Sequence, residues 1–373
     1  MGSRKSDLAP FGIGFAVMLV VAGYSLTSVP LDWDEGATLS AATRSFGELI
    51  QLASYKDAVI TPFYLVLHVL VTVCGESDVV LRLPSLLAMA AGAGVTAEIG
   101  RRVAGPAAGI LAGIICSAIP SLVFFAHTAR PYAFAFLFAT LSSLLLLTAV
   151  QTPTWWRWAG YGLCLALTGI FHLVALSVLA AHVVILAMAW WPERDRRLWR
   201  ALPAIGAALV VVSPLIWLGR GQRYSQLHWV QTPTWKTVAE LPGDVAFSPA
   251  VGYLLLLLAV AACFVLPTRR YVELVALSTV PVVVGHRGLA DRAGVGAALR
   301  HLPPRAGCGA GRCHRHHRPS ACGCRVAVAR TRRGGRGSAR LPLAACAEVG
   351  PADAQRAGHP HHGLRHPRQR GHR

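Results

Sequence analysis

Charge is what this sequence has least of. Only 14% of its 373 residues are Asp, Glu, Lys or Arg, where a soluble domain carries about 25%. That shortage, set against 54% hydrophobic residues, excludes an ordinary soluble globular fold. Paired cysteines are missing as well. Cys74, Cys116, Cys164 and Cys263 lie scattered in apolar surroundings, which excludes a disulfide framework and leaves each as a small packing residue. No small-residue cleavage site follows the first apolar run, so that run reads as an anchor and not as a removed signal peptide.

Aromatic residues stop abruptly. Residues 285–373 contain no Phe, Trp, Tyr, Ile, Met or Lys, and are dominated by Arg, Ala, Gly, Pro, His and Cys. Their 18 arginines against three acids carry +15 of the chain's +19, while the first 284 residues hold 18 basic and 14 acidic residues, or +4. The basic character therefore belongs to the tail, and it does not make the apolar body a nucleic-acid binder. The change falls inside an apolar run, and these six residue types are those that GC-rich DNA yields when read out of frame. The sequence thus points to a frameshift near codon 284, with a disordered, non-native tail behind it. Cys308, Cys313, His314, His316, His317, Cys322 and Cys324 do not make a zinc site. Structural zinc takes Cys pairs two to four residues apart within a packed domain, whereas one residue separates Cys322 from Cys324. The arginine runs, without aromatic residues or a fold to aim them, offer nonspecific attraction to phosphates.

What the first three quarters do have is apolar runs of about 20 residues, the length of helix that crosses a hydrocarbon core. They predict an all-α, polytopic transmembrane bundle of about nine spans. The predicted spans start with residues 10–29, continue through 80–99, 106–125, 133–150, 158–171, 174–190, 201–218 and 250–266, and end with a run from Tyr271 to Val284. Residues 36–54 and 61–73 are predicted as helices lying on the membrane surface, the second being too short to span comfortably. With that arrangement the basic clusters at Arg4, Arg101, Arg157, Arg194 to Arg197 and Arg269 all fall on one side, which places the N-terminus in the cytoplasm.

The densest chemical signal is Asp32-Trp33-Asp34-Glu35 after the first span. Three carboxylates within four positions at a low-dielectric boundary push one another's pKa upward, as suits a general base; the plainer reading is an acidic helix start. The second signal is His127 to Tyr132 on the outer side, where Arg130 either binds a lipid phosphate through its planar fork or snorkels to the headgroups. Asp57, His68, Arg82, His172, Arg223 and His228 are further polar residues predicted at the outer face. His182, alone on an apolar segment, reads as a packing residue.

Four stretches in order resemble the GT-C superfamily of membrane glycosyltransferases, nearest to glycosyltransferase family 39 with its protein O-mannosyltransferases and aminoarabinose transferases. They are Asp32-Trp33-Asp34-Glu35-Gly36, Thr61-Pro62-Phe63-Tyr64-Leu65-Val66-Leu67-His68, Ser77-Asp78-Val79-Val80-Leu81-Arg82-Leu83-Pro84-Ser85, and Ala129-Arg130-Pro131-Tyr132-Ala133. The resemblance spans residues 8–284, the domain that would carry activity. It implies a polyprenyl-phosphate sugar donor and inversion at the anomeric carbon, with Asp34 as base and Glu35 as its catalytic partner. A cation near the leaving phosphate would stabilise its developing charge, for which Arg130, Arg82 and Arg223 are candidates, with Tyr132 a further donor-phosphate contact; Asp57, His127 and His172 are candidates for substrate or metal contacts. A divalent metal ion is the alternative to arginine at the phosphate. The implied sugar is mannose, and the implied acceptor is an extracytoplasmic glycolipid or protein. Where many relatives read His-Pro-Pro, this chain has Ile60-Thr61-Pro62, so no histidine role carries over there. Relatives also continue with further spans. The readings from other classes are a transporter or flippase, which would show broken helices and an internal repeat, and an inactive truncated product.

Overall fold

The computed structural model describes residues 8–227 and 235–279. The expectations for residues 280–373, including the change of frame and the Cys/His set, lie outside the described residues, as do those for Arg4 and His228. Among the described residues every regular element is helical. The helices of the bundle are α1 (Ala9–Gly23), α5 (Asp78–Ala104), α6 (Pro106–Ala118), α7 (Pro120–His127), α8 (Tyr132–Gln151), α9 (Trp155–Phe171), α10 (Val178–Glu193) and α11 (Ala201–Leu227). Between α1 and α5 lie α2 (Trp33–Ala42), α3 (Phe46–Leu52), a π-helical turn (Ala53–Asp57) and α4 (Thr61–Cys74). After α11 come α12 (Trp235–Ala246), α13 (Pro249–Ala261) and a helix at 268–279.

Four stretches are long and apolar enough to cross a membrane: Asp78–Ala104, Tyr132–Gln151, Leu173–Pro192 and Arg196–Gln222. Counting each of two bent pairs as one span raises the number to six, so this is a multi-pass membrane protein. The expected count of about nine is not reproduced among the described residues. One reason is length. The first predicted span is a helix of only 15 residues, ending at Gly23.

A second correction concerns continuity. The run predicted as one span at 106–125 is broken, with α6 and α7 meeting at 65°. Ile119 leaves the helical region (φ −76°, ψ 117°), as the residue before a proline tends to do, and Pro120 then opens α7. The stretch 219–249, expected as a polar connection, is largely helical, since α11 runs on to Leu227 and α12 follows. Helices form between α1 and α5, where they were expected. The starts of α2 and α3 are fixed by two reciprocal capping boxes, Asp32 with Glu35 and Ser45 with Glu48, each satisfying backbone N–H groups that no helical carbonyl reaches.

Small residues let the helices meet closely. α5 packs against α1, α6 and α8. A Cβ on Gly113 would lie 2.8 Å from the Gly14 Cα and 3.1 Å from the Ala97 Cβ, so α1, α5 and α6 touch almost backbone to backbone, as is common where lipid supplies no hydrophobic drive between helices. A second apolar core joins α8, α9 and α10 around Leu146, Trp158, Leu165 and Ile185. Within it the fully buried His182 ring lies 3.1 Å from the Ser143 hydroxyl and 3.2 Å from that of Tyr161, so it is a satisfied packing residue.

Candidate functional site

The N-terminus of α2 places two adjacent carboxylates in opposite settings. Glu35 is the third helical residue, and its side chain turns back to accept from the Asp32 N–H at 3.3 Å. From there it enters the protein and is 3% exposed. Arg82, on the first turns of α5, donates to both Glu35 oxygens, at 2.9 Å from Nε and 2.6 Å from Nη2. The Ala129 N–H adds a bond of 2.9 Å. Arg82 Nη1 also donates to the Leu26 and Val29 carbonyls at 2.8 and 2.9 Å, and Nη2 to the Pro30 carbonyl at 3.3 Å. One ion pair thus ties the loop leaving α1, the start of α2, the start of α5 and the turn after α7. Every nitrogen of Arg82 is engaged.

The expectation of an upward pKa shift is reversed at Glu35. Burial does push its carboxyl up, but the Arg82 bonds and the N–H groups of Ala129 and Asp32 outweigh burial and hold it below 4.5. A carboxylate so held is a poor proton acceptor.

Asp34 faces the other way and is 59% exposed. Its Oδ2 lies 2.6 Å from Nη2 of Arg130, whose side chain is only 13% exposed. Among the described residues, Arg130 Nε is buried and has no hydrogen-bond partner. The Ser85 hydroxyl braces the Arg130 carbonyl at 3.4 Å. Tyr64, from α4, lies in the same field. Burial pushes its hydroxyl up to about 12, with Asp57 and Asp34 adding to the rise and Arg130 opposing it, so it remains a proton donor. Asp57 closes the π-helical turn, where Gln222 of α11 bonds the Ala53 carbonyl at 2.9 Å and the Ala58 N–H at 3.0 Å.

Aromatic rings run away from Arg130. Tyr132 stands 5.4 Å from the His172 ring and 4.7 Å from Phe125. Phe125 and Phe124 both meet Phe247, at 5.5 and 5.4 Å. Burial lowers the His172 pKa, which favours the neutral ring.

The structure therefore brings together Asp34, Asp57, Arg130, Tyr132 and His172, and adds Tyr64. His127 is placed apart, its Nε2 lying 2.6 Å from the Ala22 carbonyl and 3.4 Å from the Ser25 hydroxyl, which pins α7 to the end of α1. His68 is similarly bound to the Ala42 carbonyl at 2.9 Å. Tyr64, Gln222 and Phe247 were missed as site residues. Tyr64 stands within a motif that marked the family, but its polar role depends on distant partners. Among the described residues no group of three or more His, Cys, Asp or Glu side chains could hold a metal ion. The donor set does not fit a divalent ion held by protein alone.

The helical bundle is that of a multi-pass membrane protein, and it holds an exposed carboxylate against a largely buried guanidinium. Residues 60–217, a little under half of the chain, match the model of the family described as dolichyl-phosphate-mannose-protein mannosyltransferase. The resemblance read from the motifs is borne out over these residues, which hold three of its four stretches, and the class the match points to is a membrane glycosyltransferase of the mannosyltransferase type. No curated protein matches the chain.

Proposed function

We propose that residues 1–284 carry a transferase that moves a sugar, mannose by the family's description, from a polyprenyl-phosphate donor to an acceptor hydroxyl outside the cytoplasm. The acceptor class is an envelope glycolipid or a protein. The N-terminus is cytoplasmic and the Asp34 site faces the other side, as the distribution of arginines favours. Residues 285–373 are the out-of-frame tail.

The observation that carries this reading is the Asp34–Arg130 pair, an exposed carboxylate on a guanidinium that keeps a buried nitrogen unsatisfied. As the acceptor oxygen bonds to the anomeric carbon, its proton passes to Asp34. The carbon–oxygen bond to the phosphate breaks, and its electron pair leaves with the phosphate. Protonation cancels the charge of Asp34 and loosens its hold on Arg130 just as charge grows on the leaving phosphate. Arg130 stabilises that charge, as a preplaced cation at a developing oxyanion does, and Tyr132 borders the same space. Glu35 and Arg82 serve here as positioning residues rather than catalytic ones, because each is saturated by the other and by backbone. His127 is likewise structural, while Asp57 and His172 border the substrate.

The test is sugar transfer from polyprenyl-phosphate-mannose in proteoliposomes. Asp34→Asn should lose about 10²–10⁴ in rate while donor binding persists, and Arg130→Gln should weaken donor binding. Retained transfer by Asp34→Asn would remove the base assignment.

A further inference from the structure

At the far end of α8 from Arg130 lies an open cavity of about 180 Å³, lined by Leu147, Val150, Gln151, Ile185, Arg269, Arg270 and Glu273. α8 has 20 residues, and at 1.5 Å per residue this separates the two ends by about 30 Å, the thickness of a bilayer core. We propose that this cavity binds the phosphodiester headgroup of an anionic phospholipid in the leaflet opposite the Asp34 site.

Three observations support this. First, the charges do not balance. Arg269 Nε lies 3.4 Å and Arg270 Nη1 3.2 Å from the two oxygens of the single Glu273 carboxylate, leaving one positive charge in excess at the cavity. Glu273 is buried while both arginines reach solvent, so the cations line the opening and the carboxylate supports them from behind. Second, most of the remaining wall is apolar, made by Leu147 and Val150 of α8 and Ile185 of α10, with Gln151 as its one polar residue. A free phosphate has no use for such a wall, whereas the glycerol and first methylenes of a lipid do. Third, the cavity sits at headgroup level. Trp155, Trp156, Trp191 and Trp199 are exposed at the same end of the bundle, where tryptophans mark the membrane interface. The Arg194 guanidinium lies over the rings of Trp190 and Trp191, and that of Arg200 over Trp155. These arginines are thus held among rings, and the cavity pair is the one that opens into a recess.

The prediction has opposite signs for two variants. A basic residue near an anionic lipid surface is worth about 1 kcal/mol, or roughly fivefold in affinity. Glu273→Gln raises the excess to two charges and should bind phosphatidylglycerol roughly fivefold more tightly. The triple variant Arg269→Gln, Arg270→Gln, Glu273→Gln leaves no charge and no buried unpaired ion, and should bind roughly fivefold more weakly. Dissociation constants for phosphatidylglycerol and phosphatidylcholine are measured by native mass spectrometry on the full-length chain in detergent. The tail is common to all variants, so its arginines cancel from the comparison. Should the triple variant fail to fold, the gain in Glu273→Gln still decides. Equal binding by wild type and Glu273→Gln overturns the proposal, and so does inorganic phosphate binding as tightly as the lipid.

Discussion

Asp34 and Glu35 are consecutive residues whose carboxylates meet different arginines, the exposed Asp34 meeting Arg130 and the buried Glu35 meeting Arg82. The first turn of α2 thus holds one carboxylate that faces solvent and one that is closed off from it. Glu35→Gln should unfold the site, not merely slow it. Removing one partner of a buried ion pair costs about 3–5 kcal/mol, because the other charge stays buried unpaired. Asp34→Asn should cost less than Glu35→Gln, because this carboxylate is 59% exposed and the asparagine oxygen can still accept from Arg130. Thermal unfolding of both variants in one detergent checks the contrast. Equal melting temperatures for the two would refute it.

Arg82→Lys tests whether charge or shape holds the loop after α1. Lysine keeps the positive charge, but it is a point donor without the planar fork. It cannot serve the Glu35 carboxylate and the carbonyls of Leu26, Val29 and Pro30 at once. Each acceptor left unsatisfied costs about 1–3 kcal/mol, so Arg82→Lys should melt well below wild type. Limited proteolysis should cut first near residues 26–30.

Much of this site was legible in the sequence, and what was not follows a pattern. The capping signal at Asp32 to Glu35 is local, since both partners lie within four residues, and α2 begins where that signal sets it. Asp34 and Arg130 were singled out from residue type and membrane side, and they meet in the structure. The partnership of Glu35 with Arg82 spans 47 residues. It depends on how α5 packs beside α2, which no periodicity encodes. For the same reason two arginines that looked equivalent have different surroundings, Arg82 with every nitrogen bonded and Arg130 with one to spare. The continuity of the span at 106–125 was not legible for another reason. Hydropathy records how apolar a run is, not whether a proline such as Pro120 divides it.

Close packing around α5 gives a prediction about helix association. Gly113→Ala forces a Cβ to within 2.8 Å of the Gly14 Cα. Overpacking of this kind costs about 1–3 kcal/mol. Gly206→Ala on α11 has nothing within 4 Å of the new Cβ and should be neutral or gain about 0.5–1 kcal/mol, since alanine restricts the unfolded chain and suits a helix. Melting temperatures should therefore move in opposite directions, or stay unchanged for Gly206→Ala. A Gly113→Ala protein as stable as wild type would show that α1 and α6 do not meet there.

Acidification should weaken the site in two steps. Burial sets the His172 pKa below its ordinary 6.5, and the Glu35 carboxyl stays below 4.5, because its partners outweigh burial. In both cases the folded protein holds fewer protons than the unfolded chain when pH lies between the folded and unfolded values. Stability must then fall as pH falls through that window. The His172 contribution is intact above 6.5 and erodes below it. The Glu35 contribution is intact above 4.5 and is lost as pH drops through the depressed folded value. His172→Phe should lessen the upper step, to which the fully buried His182 ring also contributes, and leave the lower one. Asp34→Asn should leave both, because neither step depends on the outward carboxylate. The measurement is melting temperature against pH from 7 down to about 3, a range that covers both groups. A wild-type profile that rises on acidification would contradict the assigned surroundings of both residues.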